Sequence, residues 1–155
     1  MEKTNAMRIL DRNKIIYKTY SYAGSGAVSG VEVAKALNQN PDLVFKTLVT
    51  VAKSKQHYVF MIPVEKELDL KKAAESVNEK ALDMLKSKEL FSLTGYVHGG
   101  CSPLGMKKTF TTVIDKSAEN IQTIIFSAGK IGYQIETAPA ELKKILDFKT
   151  ADIVL

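Results

Sequence analysis

The stretch Asp42-Leu43-Val44-Phe45-Lys46-Thr47-Leu48-Val49-Thr50-Val51-Ala52 decides the fold. It is rich in β-branched and apolar residues and holds neither glycine nor proline, so Leu43 to Ala52 reads as a strand. His57 to Val64 is a second apolar run, and Ser54-Lys55-Gln56 between them predicts a hairpin. By the two-residue period, Val44, Lys46, Leu48 and Thr50 share one face, and Phe45, Thr47, Val49 and Val51 share the other. Neither face reads as solvated. An unpaired ammonium buried there costs several kcal/mol. Lys46 therefore meets an acid, reaches water at a sheet edge, or lines a cleft.

Working outward toward the N-terminus, Ser29-Gly30-Val31-Glu32 is a capping box that opens a short helix with Val33, Ala34 and Leu37 inward, ended by Asn38 to Asp42. Ala23 to Ala27 is a loop, and Ile15 to Tyr22 a strand with three tyrosines. Thr4 or Asn5 caps a first helix that ends near Arg12-Asn13. Toward the C-terminus, Asp69 caps a helix through Leu70, Ala73, Ala74 and Val77, and a further short helix is expected from about Glu79 to Lys86. Strands are expected at Phe110–Ile114, Thr123–Phe126 and Tyr133–Thr137, with a turn over Ser127 to Gly132. Pro139 opens a last helix through Leu142, Ile145 and Leu146, and Ala151 to Leu155 is expected as a closing strand. About six strands with four or five helices predict one mixed α/β domain over residues 1–155, its sheet mostly antiparallel.

The second informative stretch is Thr94-Gly95-Tyr96-Val97-His98-Gly99-Gly100-Cys101-Ser102-Pro103-Leu104-Gly105-Met106-Lys107-Lys108, which holds four of the nine glycines. Glycine is costly inside a helix or strand, so this is a loop whose backbone has to be bare. Adjacent Gly99 and Gly100 can turn N–H groups toward one point, a concavity suited to an anion or a polarised carbonyl oxygen. A plain turn remains the bland alternative. It is not a nucleotide-hydrolase phosphate loop, because Met106 stands where the lysine is needed. Cys101 with His98 three residues earlier raises a thiol nucleophile and base, but no orienting acid is near. Tyr20 can line a pocket or simply pack. Ser127-Ala128-Gly129, after a strand, can face a ligand or be a turn.

The net charge of +5 and pI near 9.2 favour a polyanion as partner. Only Arg8 and Arg12 are arginines, so contact with phosphates by lysine is expected rather than bidentate base readout. One cysteine excludes an internal disulfide framework, and His57, His98 and Cys101 lack paired metal-ligand spacing. No signal-peptide core or membrane-length apolar run is present, so a cytoplasmic protein without membrane association is expected.

Taken together, Thr4-Asn5-Ala6, Phe45-Lys46-Thr47-Leu48, Leu70-Lys71-Lys72-Ala73-Ala74, Thr94-Gly95-Tyr96, Gly99-Gly100-Cys101-Ser102-Pro103-Leu104-Gly105, Ser127-Ala128-Gly129 and Ile135-Glu136 before Pro139 resemble the YbaK/EbsC family of freestanding aminoacyl-tRNA deacylases, relatives of the editing domain of bacterial prolyl-tRNA synthetases. The resemblance implies a mixed sheet in a partly closed barrel with flanking helices, and neither metal nor cofactor. It implies hydrolysis of the ester of mischarged tRNA, Cys-tRNA(Pro) foremost and Ala-tRNA(Pro) as the alternative. The matching lysine is Lys46, the family's essential residue, and the matching loop, Gly99, Gly100 and Cys101, supplies backbone contacts around the ester. In cysteine-specific members the substrate's own thiol is thought to attack its ester. On this reading Tyr20, Ser127 and Gly129 line the pocket, and Lys107, Lys108, Lys71 and Lys72 attract the acceptor end of tRNA, with prolyl-tRNA synthetase as a further partner. His98 departs from the pattern, since many relatives carry another residue there, often arginine. A non-catalytic tRNA-binding or regulatory module is the reading from a different class.

Overall fold

A computed structural model describes residues 2–155. The central hairpin forms as expected. β2 (Phe45–Ala52) pairs antiparallel with β3 (His57–Pro63), from Phe45 opposite Pro63 to Val51 opposite His57. Around it, β4 (Leu82–Met84), β5 (Thr111–Asp115) and β8 (Phe148–Ala151) complete a five-stranded sheet in the order β4-β2-β3-β5-β8. β5 runs parallel to both β3 and β8. A second, antiparallel sheet has the order β1-β7-β6, from β1 (Lys18–Ser21), β7 (Tyr133–Thr137) and β6 (Ile124–Ser127). One isolated parallel bridge, Val44 to Ile125, joins β2 to β6. The hydrogen bonds thus make two sheets joined at one point, not the partly closed barrel that the resemblance implied.

Helix caps are where the sequence put them. Thr4 Oγ1 accepts from the Met7 N–H at the head of α1 (Asn5–Arg12), and Ser29 and Glu32 close the capping box of α2 (Gly30–Ala36). Asp69 accepts from the Lys71 and Lys72 N–H groups at the head of α3 (Leu70–Ser76).

Other expectations also fail. The helix expected from Glu79 to Lys86 is instead β4, paired with β2 through Ala52–Leu82 and Thr50–Met84. Leu82 and Leu85, three apart, suit one helix face, but an odd spacing on a strand sends them to opposite sides, where each joins a different cluster. The next helix, α4 (Ser87–Thr94), falls in a segment with no helix expected. It buries Leu90 and Thr94 and stops at Gly95, whose φ of 87° is the left-handed cap glycine favours. At the C-terminus, α5 (Pro139–Leu142) is a single turn, and the closing strand is β8, ahead of the Ala151–Leu155 expected. Phe148 opposite Thr112 draws the pairing forward, while Val154 makes only a single bridge to Leu68.

The core is layered by these faces. Phe45, Met61 and Ile114 of the larger sheet meet Phe126 and Ile135 of the smaller, with Met7 and Leu10 of α1. The opposite face of the larger sheet, with Phe60, Ile62 and Leu48, is covered by Ala73 and Ala74 of α3. α2 lays Ala34 over Val44, Val64 and Ile125, across the junction of the two sheets. α4 and the glycine-rich loop bring Leu90 and Cys101 against Val49 and Val59.

Gly30 lets α2 sit this close. A Cβ there would lie 2.5 Å from Val64 Cγ1, and a β-branched side chain has little rotamer freedom to yield. Overpacking outweighs the usual gain from replacing a glycine. Gly30→Ala is expected to lower stability by about 1–3 kcal/mol in urea unfolding, and adding Val64→Ala should cost less than the sum of the two single changes.

Candidate functional site

The middle of β2 has one open edge. On its outer side β4 takes Thr50 to Ala52, Val49 accepts from the Leu85 N–H, and Val44 bridges Ile125. Between them, Phe45 to Leu48 have no sheet partner on that side among the described residues. β6 (from Ile124) comes beside β2 at Ile125 and pairs onward only with β7, so beyond that bridge a gap is left in the hydrogen bonding between the two strands.

Lys46 stands at this gap, partly buried. On its face of β2, Val44 lies under α2 and Leu48 beside α3, so Lys46 falls between the two helices. No acid pairs with it among the described residues. Of the three fates open to it in the sequence, the structure gives the sheet edge, where Lys46 is half-buried.

Across the gap, the register of the smaller sheet lines up Tyr20, Gln134 and Ser127 on one face. Ile125 and Tyr20 both pack under α2 with Val44, so this row lies on the Lys46 side. Gln134 is buried and accepts from Gln39 Nε2 at 2.8 Å. Tyr20 is held by its hydroxyl, which donates to Glu136 Oε1, while Thr123 donates to Glu136 Oε2. That bond to Glu136, then burial, raises the Tyr20 pKa, so the phenol stays neutral. Glu136 as the anchor of Tyr20 was not anticipated. The signal was its place two residues from Gln134 on an alternating strand.

The glycine-rich loop lies on the other face of β2, where Cys101 packs on Val49. It is pinned to the turn that follows β6. Tyr96 donates to the Leu104 carbonyl at 2.5 Å, and its ring covers Gly129, where a Cβ would come within 2.8 Å. Gly100 abuts Ile131, whose backbone N a Cβ would approach to 3.2 Å, and Gly99 has a φ of 89°. Gly99 thus supplies a conformation and Gly100 a close approach. The Gly100 N–H is spent on the Val97 carbonyl at 3.0 Å. The N–H groups of Gly99 and Cys101 have no protein acceptor among the described residues. Thr47, on the same face, has a buried hydroxyl that is likewise unpartnered.

Cys101 is buried, and burial pushes its thiol up to about 12, while His98 is exposed. A nucleophile needs the thiolate. Of the lysines expected to meet nucleic acid, Lys107 and Lys108 are exposed beside the loop. Lys72 is not free for that role: it donates to the Val154 carbonyl at 2.8 Å and pairs with Asp152 at 3.1 Å. Two concavities lie away from the gap, one of about 340 Å³ at Lys3, Tyr17 and Lys18, the other of about 490 Å³ at Pro139, Phe148 and Thr150. No group of metal-ligating side chains occurs among the described residues, and no helix there is long and apolar enough to cross a membrane.

The sequence profile of the aminoacyl-tRNA editing domain matches residues 25–145, which spans β2, the glycine-rich loop and the turn after β6. The chain belongs to this family. An Enterococcus faecalis editing-domain relative, assigned as the Cys-tRNA(Pro)/Cys-tRNA(Cys) deacylase EbsC, is 44% identical over 98% of this chain and 93% of its own. The editing fold recurs at low identity. A crystal structure described as a trans-editing enzyme for prolyl tRNA synthetase superposes with a TM-score of 0.85 at 22% identity, covering 100% of this chain and 99% of that one. The hypothetical protein APE2540 superposes with a TM-score of 0.86 at 20% identity, over 96% of this chain and 97% of its own.

A raised thiol pKa fixes a sign. Unfolded cysteine ionises near 8.5, folded Cys101 near 12. Its contribution to stability is complete below the unfolded value and is lost as pH rises toward the folded one. Native protein is expected to resist iodoacetamide at pH 8.5 while urea-unfolded protein reacts. Stability should fall more steeply above pH 9 in the parent than in Cys101→Ala.

Proposed function

We propose that this chain is a single-domain trans-editing hydrolase that cleaves the aminoacyl ester of mischarged tRNA, with Cys-tRNA(Pro) as its main substrate. The observation that carries the reading is the unpaired stretch of β2 that holds Lys46, with a loop packed on the same strand whose backbone N–H groups are unspent. The relative assigned as a cysteinyl-tRNA deacylase supports the substrate choice.

In this reading Lys46 holds the terminal adenosine or its phosphate and so places the ester. Gly99 and Cys101 donate their N–H groups to the ester oxygen as negative charge develops, while Gly100 keeps the turn in shape. Tyr20, Ser127 and Gly129 wall the pocket. An ester is already activated, so positioning and charge stabilisation serve it more than a protein nucleophile. The thiolate of the substrate's cysteine attacks its own carbonyl carbon, and the bond from that carbon to the ribose oxygen breaks. The ribose oxygen takes the proton that the thiol gave up and becomes a hydroxyl, and the cysteine leaves as a thiolactone that water then opens. Cys101 acts through its backbone alone, which suits a buried, protonated thiol.

Lys107, Lys108 and Lys71 attract the acceptor end by charge, with affinity that falls steeply with salt. A chain of 155 residues has little surface for reading a whole tRNA, so prolyl-tRNA synthetase bound to the same tRNA is proposed to supply identity. The proposed setting is the cytoplasm.

The test is deacylation of Cys-tRNA(Pro) and Ala-tRNA(Pro) by wild type, Lys46→Ala and Cys101→Ser. Cysteinyl ester cleavage is expected from wild type and Cys101→Ser, with a loss of about 100-fold or more in Lys46→Ala. Cleavage of the alanyl ester at an equal rate would discard the thiol step. A Cys101→Ser loss as deep as that of Lys46→Ala would restore the cysteine as nucleophile. Tight binding without turnover of either ester would favour a regulatory module.

A further inference from the structure

The exposed face of α4 carries an aromatic side chain that neither the core nor the proposed pocket uses. Phe91 is 58% exposed. The Lys107 ammonium lies 5.3 Å from its ring centroid and 3.5 Å from the Ser92 carbonyl at the end of the helix. The Lys107 stem runs along Gly95, so this arm of the loop is folded back onto α4. Lys88 is three residues before Phe91 and shares its face. Within residues 86–108, Lys86 and Lys108 add further exposed positive charge and Glu89 is the one acid. Beyond it, Val97 is 49% and Ile131 54% exposed, and Ile131 touches Gly99 and Gly100.

A lone exposed phenylalanine needs no explanation. This one has an ammonium over its ring and Lys88 one turn earlier on its helix face, and it stands in the helix that leads into the loop. Proteins that bind single-stranded nucleic acid combine these parts, an aromatic face for a base and ammonium groups for the phosphates on either side. The distance also fits. Phe91 to Gly95 is one helical turn, and Gly95 to Gly99 is four residues, so the platform and the loop are separated by at most about 20 Å. That is the reach of a few unpaired nucleotides.

We propose that Phe91, with Lys107 beside it and Lys88 one turn earlier, is a stacking platform for a base of the unpaired 3′ end of tRNA, upstream of the esterified adenosine. The inference rests on the deacylase reading for the direction of the strand. Charge complementarity selects the occupant: a lysine-rich apolar patch suits a phosphate-linked base better than a second copy of a chain with net charge +5.

The test uses an RNA minihelix with 2-aminopurine in its unpaired 3′ end, read by fluorescence quenching on binding, which needs no turnover. Wild type and Phe91→Trp are expected to quench, while Phe91→Leu, apolar but not aromatic, should bind about tenfold more weakly and quench little. Lys107→Gln should reduce the slope of log affinity against log salt by about one. Hydrolysis gives a second arm. Phe91→Leu should raise KM for cysteinyl-minihelix about tenfold and leave cleavage of cysteinyl-adenosine, which has no upstream base, unchanged. Equal quenching by wild type and Phe91→Leu, or equal losses on both esters, would overturn the platform. Quenching by wild type with cleavage of neither ester would overturn the deacylase reading and leave the platform standing.

Discussion

The structure depends on how β2 divides its outer edge. Its inner edge is committed along seven residue pairs to β3. Its outer edge is shared, Thr50 to Ala52 with β4 and Val44 with Ile125 of β6. A strand that gives its two ends to different neighbours leaves its middle to neither. Open strand edges are ordinarily blocked, because free backbone groups invite pairing with another chain. Here α2 and α4 close in from the two faces while the edge between stays reachable, with Lys46 on one side and the loop's N–H groups on the other. A lysine on an edge strand discourages pairing with a second strand, so the same side chain that serves the proposed site also guards it.

The two approaches to the gap differ in stiffness, and the difference has a physical source. The loop is fixed by contacts that glycine alone permits: Gly129 under the Tyr96 ring, Gly100 against the Ile131 backbone. It is also tied by Tyr96 to the Leu104 carbonyl and buries Ser102 fully. Donors held this way need not reorganise when charge develops nearby, which is what makes preorganised N–H groups effective. The opposite wall is a polar row in which Glu136 holds Tyr20 and Gln39 holds Gln134. Lys46, on the unpaired stretch of β2, has no acid paired with it among the described residues.

Much of this was legible in the residues. The hairpin, the caps at Thr4, Ser29 and Asp69, and the turn after β6 follow from local chemistry alone. Lys46 stood out because a charge in an apolar strand demands an explanation, and the loop because four glycines cluster there. What could not be read was tertiary. The segment around Leu82 is short and ambiguous between helix and strand, and the free edge of β2 settled it. α4 is marked by Leu90 and a glycine cap, but the glycines beyond it draw attention to the loop. The single use of the Gly100 N–H in a turn, and the loss of Lys72 to the Val154 carbonyl, are choices among donors that only the folded chain makes. The two-sheet arrangement was also hidden, since it rests on one bridge between residues 81 positions apart, Val44 and Ile125.

The central claim is that the gap between β2 and β6 receives the aminoacyl ester, with the loop's N–H groups on its oxygen. The direct measurement is backbone amide NMR of the protein titrated with a non-hydrolysable cysteinyl-amide of adenosine. The account predicts large shifts at the Gly99 and Cys101 amides, smaller ones at Lys46 and Ser127, and little change at Gly100, whose N–H is already bonded to Val97. Shifts centred on Tyr17 and Lys18, or on Phe148 and Thr150, with the loop amides unmoved, would contradict it.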